Sequence, residues 1–268
     1  MDLADVMYRA SLVLLNSHSS TNLAVPYVPN MIDIGGFHVK SPTKLPEDLQ
    51  EFLDNSKEGV IYFSLGSNLK VKVLWKWEED VWSGQPPNVR LGKWLPQQDI
   101  LAHPNLKLFI THSGLLSTIE IIYHGVPVLA IPIAGDQKLN AERVVNQGFG
   151  LKLRFADLTE ELLLETINEL LTNPKYAVNA KKRSEVFHDR MTKPLDTAMY
   201  WVEYVIRHGG APHLRIAGID LSWYQYFLLD VILIFSVTSV IVLYISLKLI
   251  NRLLLGCCRR KKQKIKTN

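Results

Sequence analysis

The sequence predicts an α/β protein: a mainly parallel, doubly wound sheet, followed by one C-terminal transmembrane helix. Three observations carry this. Short β-rich apolar runs alternate with helical runs between about residues 60 and 207, the pattern of strands joined by crossovers. The 268 residues are 47% hydrophobic, enough to bury a sizeable core in one or two domains. Finally, the run 226–247, YFLLDVILIFSVTSVIVLYISL, is long enough to cross a bilayer at about 1.5 Å per residue.

The elements follow in order. Residues 11–16 (SLVLLN) are predicted as a buried strand, and 26–36 (PYVPNMIDIGG) as a loop leading to a short extended segment. The polar, Pro-containing stretch 41–58 allows a short helix and reads as an interdomain linker. Residues 60–65 form a strong strand that runs into Gly66-Ser67. Strands at 71–75 and 89–94 follow, and 106–110 is a strand ending at Thr111-His112. A helix at about 117–124, a strand at 126–133 and a helix at 140–147, stopped by Gly148, come next. Thr159 caps a helix reaching Leu171, with Glu160 and Glu161 in its first turn and Asn173-Pro174 ending it. Helices at about 175–188 and 196–207 close the body.

One step breaks the alternation. Parallel neighbours need a crossover of about a dozen residues or more. Only residues 66–70 separate the strands at 60–65 and 71–75. Those strands therefore pair antiparallel, or a crossover helix has been deleted. Its loss is expected to expose apolar sheet surface.

The formal net charge of +4 is concentrated at one end. From Lys248 onward there are eight Lys or Arg and no acid; without that tail and Asp230 the body holds 22 basic and 25 acidic residues. No basic face suggests nucleic acid. Cys257 and Cys258 are adjacent in the tail. A vicinal pair makes a poor structural disulfide and lacks metal-site spacing, which leaves free thiols or S-acylation beside a membrane. Trp223, Tyr224 and Tyr226 form an interfacial belt before the span, and the basic cluster behind it argues against a buried core helix. By the positive-inside rule the tail is cytosolic and the body lies on the other side. The opening Met1-Asp2-Leu3-Ala4-Asp5 has no basic and apolar leader, so a body so placed needs upstream sequence or another route of insertion.

The candidate chemistry lies in residues 94–137. Ligands of open α/β sheets bind beyond the carboxyl ends of the strands. His112 sits at such an end, before Ser113-Gly114. Glycine permits close approach there, and the next helix start offers free N–H groups to a phosphate. The alternative is a strand-end histidine bonded to nearby backbone. Ser117 and Glu120 fit a phosphate contact and a ribose diol; they equally fit an S-x-x-E capping box. Trp94 can stack a base or simply pack in the core. Asp136 and Gln137 offer acceptors and a donor to sugar hydroxyls, or form a surface turn and cap. Gly66-Ser67 can give donors to a phosphate or be an ordinary turn. No GxxxxGK is present, which disfavours a P-loop enzyme.

Singly these signals are weak, but their order is specific. The stretch W-x-P-Q, H-P, T-H-x-G, S-T-x-E, G-V-P, D-Q closely resembles the donor-binding signature of the UDP-glycosyltransferases. Leu115-Leu116, the FSLGS strand end and the span resemble the animal membrane-bound UDP-glucuronosyl/UDP-glucosyltransferase branch, insect type in particular. The resemblance implies the C-terminal Rossmann-like donor-binding domain of a GT-B glycosyltransferase. Residues 1–36 would be a remnant of the N-terminal acceptor domain and 37–58 the linker. Residues 59–190 would be the UDP-sugar-binding domain, with its crossover helix missing near 66–71. Residues 191–222 would be a C-terminal helix and pre-membrane segment, 223–248 the anchor, and 249–268 a basic cytosolic tail.

The resemblance also implies roles. Trp94 stacks the uracil, and Gln97 contacts the nucleoside. His112, Ser117 and Ser67 hold the diphosphate, with Gly114 in the phosphate loop. Glu120 binds the ribose, and Asp136 and Gln137 the sugar. Ser113 stands where glycine is usual, and its side chain crowds the loop or adds a hydrogen bond. The implied activity is hexosyl transfer, with inversion, from UDP-glucose or UDP-glucuronate to small lipophilic acceptors. UDP-sugar is a co-substrate, and neither cofactor nor metal is implied. The family's catalytic His and Asp belong to the N-terminal domain. His18 lies outside that motif, so no catalytic base is assigned here. The alternative is an inactive, membrane-anchored UDP-binding fragment, or a regulatory partner of full-length relatives through homo- or hetero-oligomers. Lys264 and Lys266 resemble a dilysine retrieval signal, pointing to the endoplasmic reticulum membrane with a lumenal donor domain. Attraction of the basic tail to membrane lipid is compatible with that.

Overall fold

A computed structural model describes residues 9–22, 24–63, 72–77 and 85–266, with the side chains of 219 and 253–266 outside the description. Residues 10–213 form one unit, and the segment from Leu214 onward belongs to another.

In the first unit, β1 (Val13–Leu15) and β2 (Met31–Asp33) pair in parallel as a separate small sheet. A helix, α1 (Glu47–Asp54), leads into the main sheet. Its strands are β3 (Val60–Phe63), β4 (Lys72–Lys76), β5 (Val89–Gly92), β6 (Leu106–Thr111), β7 (Val128–Ala130) and β8 (Gly150–Lys152). All neighbours are parallel, in the spatial order β5-β4-β3-β6-β7-β8. Counted from β3, this is the doubly wound order 3-2-1-4-5-6, whose strand direction of travel reverses between β3 and β6.

Both faces of the sheet's centre are buried, which is why β3 and β7 read as unbroken apolar runs. Along β3, Val60 and Tyr62 enter one cluster and Ile61 and Phe63 the other. The helices between and after the strands are α2 (Gln97–Leu101), α3 (Leu115–His124), α4 (Gln137–Asn146), α5 (Glu160–Thr172), α6 (Lys175–His188) and α7 (Pro194–Arg207). Ile119, Ile121 and Ile122 of α3 and Phe187 of α6 pack in the first cluster, and Ile167 and Leu170 of α5 in the second. The expected cap is present: Thr159 Oγ1 accepts from Leu162 N–H at 3.2 Å.

Two expectations about β3 and β4 need correction. They are parallel neighbours, with Val60 opposite Lys72 and Phe63 opposite Trp75, so the antiparallel alternative is overturned. Their connection, 64–71, lies outside the described residues, as does Ser67. The apolar sheet surface here is not exposed either. Ile61 and Val73 are fully buried and Trp75 is 7% exposed. Phe63 stacks on Trp75 at 5.8 Å, and Trp77 packs tilted against Trp75 at 4.6 Å while remaining 38% exposed itself.

In the second unit a short helix, α8 (Trp223–Tyr226), is capped by Ser222 through a capping box. Leu228, at φ +55°, breaks the chain before α9 (Leu229–Lys266). Residues Leu229–Arg252 have a mean hydropathy of 2.3, and the apolar stretch holds no buried residue. That segment is long and apolar enough to cross a membrane.

Candidate nucleotide site

The strand order puts an opening at the carboxyl ends of β3 and β6, and the motif residues collect beside it. His112 follows β6 directly, is exposed, and folds its ring over Gly114. A Cβ at Gly114 would lie 2.7 Å from His112 Nε2. Gly114 has an ordinary φ of −60°, so its position requires space rather than conformational freedom. The residue that needs freedom is Ser113, which has φ +61° and is fully buried. Its Oγ has no hydrogen-bond partner among the described residues. The serine hydroxyl therefore makes no added hydrogen bond in the loop.

Helix α3 starts at Leu115, two residues earlier than its sequence pattern suggests. Gly114 is the N-cap, and no side chain caps the helix. The first intrahelical bond is Thr118 N–H to the Gly114 carbonyl at 2.9 Å. The N–H groups of Leu115, Leu116 and Ser117 precede it, at the positive end of the helix dipole, as an anion site requires. The capping-box alternative for Ser117 and Glu120 is thereby removed: both lie inside the helix.

Glu120 is instead the centre of a polar cluster. It is 7% exposed and accepts from Gln97 Nε2 on one oxygen and from Gln98 Nε2, at 2.9 Å, on the other. Gln97 Nε2 also reaches Ser117 Oγ at 3.1 Å. Pro96 opens α2 and presents both glutamines to α3. The carboxylate raises the pKa of Tyr62 beneath it, after burial as the larger cause. Trp94, just past β5, is 77% exposed, so core packing does not account for it. Its indole is free to take a planar ligand.

Asp136 and Gln137 lie beyond β7. Asp136 is the exposed N-cap of α4 but makes no side-chain cap bond. Gln137 Oε1 accepts from the N–H of Ile133, at 2.8 Å, and of Ala134, at 2.9 Å. Part of its role is thus to hold its own loop, and its amide nitrogen is left to offer a donor.

Three residues were not singled out from sequence. Asn140 is 2% exposed, and its Nδ2 donates to Asp136 Oδ2 at 2.8 Å and to the Ser113 carbonyl at 3.0 Å. The signal was the Asp136/Asn140 spacing of four on a helix. Gln98 repeats the amide of Gln97 one residue on. His38, in the segment read as linker, places Nε2 3.8 Å from Glu120 Oε1, and nothing in a polar loop pattern announces that. A separate groove of about 680 Å³, lined by Phe37, Lys40, Tyr123, Phe187, Arg190 and Met191 among others, contains none of the motif residues. The motif residues gather instead where β6 and β7 end, at the starts of α3 and α4.

The family model described as UDP-glucoronosyl and UDP-glucosyl transferase matches residues 1–265. The chain belongs to this family. UDP-glycosyltransferase UGT5 of Dactylopius coccus is 45% identical over 94% of the chain and 52% of its own length. UDP-glucuronosyltransferase 2C1 of Oryctolagus cuniculus is 38% identical over 89% of the chain and 51% of its own length. Among solved structures, spinosyn forosaminyltransferase SpnP superposes with a TM-score of 0.57 at 22% identity, over 70% of this chain and 53% of that one. That likeness supports the GT-B fold. This member of the UDP-glycosyltransferases spans about half the length of the curated relatives it matches. The alignment to the Dactylopius protein extends over 275 positions and 94% of this chain, so about 23 of its positions have no counterpart here.

Proposed function

We propose that this chain is the donor half of a UDP-hexosyltransferase, gripping a UDP-sugar at residues 94–137. The observation that carries the reading is the Glu120 cluster. A carboxylate inside a helix, oriented by two amides beside an uncapped helix start, suits a ribose diol next to a diphosphate. Trp94 stacks the uracil and Gln97 contacts the nucleoside. His112, Ser117 and the first N–H groups of α3 hold the diphosphate, with Ser67 contributing from the β3 side. Asp136 and Gln137 take the sugar hydroxyls. As the glycosidic bond breaks, charge builds on the leaving diphosphate, and fixed donors at the helix end stabilise it without a metal.

The donor is a hexose, with glucose favoured over glucuronate because the resemblance is to insect-type members, and neither Asp136 nor Gln137 carries a charge that calls for a carboxylated sugar. Transfer inverts the anomeric carbon and needs a base to take the acceptor proton. His18 does not suit that task. It is half-buried against the Phe187 ring at 4.8 Å, and its Nδ1 accepts from Ser20 N–H. Burial, then Arg190, lowers its pKa to about 4. This favours a second reading for the chain alone: it binds UDP without turnover, or works with a full-length relative that supplies the acceptor site and base. The short β3–β4 connection, with the residues the chain lacks in alignment, supports a deletion of the crossover near 66–71. The acceptor is a small lipophilic hydroxyl compound. The apolar helix anchors the chain in the endoplasmic reticulum membrane, with the donor domain lumenal and the basic tail cytosolic.

The test is calorimetric titration of the full chain in detergent micelles with UDP and UDP-glucose. Binding is expected, and His112→Ala is expected to abolish it. No binding by the wild type, or unchanged affinity in the variant, overturns the donor-site assignment. Binding without transfer to a panel of phenols selects the second reading.

A further inference from the structure

The linker contributes to the nucleotide site. Gly36 has φ +90° and no room for a side chain, since a Cβ there would lie 2.6 Å from the Phe187 ring. Beyond it, Lys40 N–H donates to Gln98 Oε1 at 2.9 Å, and Thr43 N–H to Asp99 Oδ1 at 2.6 Å. The same Gln98 amide donates through Nε2 to Glu120. The segment is thus latched to α2, and one amide joins linker and carboxylate.

Held in this way, the His38 side chain is 16% exposed beside a Glu120 side chain that is 10% exposed. Neither ring nitrogen has a hydrogen-bond partner among the described residues. Leaving a buried polar group unpaired costs about 1–3 kcal/mol, so a ring kept this way calls for an explanation. Glu120 Oε1 lies 3.8 Å from Nε2, beyond a hydrogen bond but near enough for the ring to bear on the carboxylate. A carboxylate has about four lone-pair sites, and Gln97 and Gln98 occupy two. The other two must face outward together to accept both hydroxyls of a ribose.

We propose that His38 is a positioning residue for ribose recognition, acting through Glu120: its imidazole stands behind the carboxylate and holds it in the orientation that accepts the 2′- and 3′-hydroxyls. This rests on the donor-site reading above. His38 does not touch the nucleotide; it fixes the acceptor that does. The consequence is specific. Loss of His38 should weaken the contact to the diol and leave the base and diphosphate contacts intact.

The experiment measures the affinity of the full chain in detergent micelles for UDP and for 2′-deoxy-UDP, in wild type, His38→Leu and His38→Gln. In the wild type, 2′-deoxy-UDP is expected to bind about tenfold more weakly, the value of one well-made hydrogen bond to a charged acceptor. His38→Leu should weaken UDP about tenfold and 2′-deoxy-UDP, which keeps only the 3′-hydroxyl contact, about threefold, narrowing the discrimination. His38→Gln, which keeps a donor, should restore most of it. Equal loss for both nucleotides, or an unchanged ratio, overturns the proposal while leaving the donor site standing. Absence of UDP binding in the wild type overturns both.

Discussion

Ser113 offers a direct measure of what the loop after β6 costs this chain. The perturbation is Ser113→Gly. At φ +61° a residue with a Cβ is strained by about 1–2 kcal/mol, which glycine removes. The hydroxyl is buried without a partner, a penalty at the low end of about 1–3 kcal/mol because serine is small. Against these stand about 0.5–1 kcal/mol of extra backbone entropy in the unfolded glycine chain and about 0.8 kcal/mol of lost methylene burial. The balance is a gain of about 1 kcal/mol. For a body of this size that raises the unfolding midpoint by about 2–4 °C. The assay is thermal unfolding of the full chain in detergent, followed by near-ultraviolet circular dichroism, which reports the aromatic core rather than the membrane helix. Ser113→Ala separates the two causes: alanine drops the hydroxyl but keeps the strain, so its midpoint should rise about as far as that of glycine, whose strain relief is offset by entropy and lost burial. A midpoint lowered by Ser113→Gly would refute the reasoning: the loop would then rely on the serine side chain.

Further outcomes follow from the same geometry. Asn140→Leu removes a 2% exposed amide and strands the Ser113 carbonyl; it should destabilise the body by about 2 kcal/mol, read by the same melt. Trp94→Ala should leave the midpoint within about 1 °C, since the ring is 77% exposed, but weaken UDP by about tenfold in calorimetry. Thr159→Ala, which removes the α5 cap, should cost about 1 kcal/mol with no change in UDP affinity. Acid should destabilise the fold early. His18 and His124 both fall to about 4 when folded, burial being the larger cause, with Arg190 adding for the first and His188 for the second. A depressed histidine binds fewer protons folded than unfolded, so its contribution is full above about pH 6.5 and is lost as pH falls toward 4. After discounting for solvent screening, each contributes about 1–2 kcal/mol. The double variant His18→Gln, His124→Gln should flatten the melting midpoint between pH 6.5 and 4.5, and an unflattened profile would contradict the assignment.

Much of the sheet was legible because both faces of its centre are buried: Val60–Phe63 announces itself by continuous apolar character, and Leu106–Thr111 by an apolar run broken only at the exposed Lys107. β8 was missed because Gly150–Lys152 is three residues with no β-branched side chain, and it forms only as a neighbour of β7. α2 was missed because five residues after Pro96 are too few to show a period. The pairing of β3 with β4 was half legible: chain length left antiparallel pairing open, and the burial of both strands in a parallel sheet decides against it. In the site, the order of the motif picked out residues that the fold gathers at the carboxyl ends of β6 and β7. Its local detail misled at Ser117 and Glu120, because S-x-x-E serves a cap and an interior pair equally well. Where the cap fell depended on Gly114, a residue whose side chain gives no sign. His38 could not be read at all, since its meaning comes from where Gly36 and Lys40 fasten the linker.

Asn140 makes two loops into a single mechanical part. One buried amide grips the carbonyl of Ser113, after β6, and the carboxylate of Asp136, after β7. On the proposed assignment the first loop faces diphosphate and the second faces sugar. A change that suits a different hexose at Asp136 therefore pulls on the phosphate loop, and by reciprocity a tighter grip on the diphosphate reshapes the choice of hexose. Sugar preference and nucleotide affinity are then inherited together in this fold, and a variant selected for one will carry a change in the other.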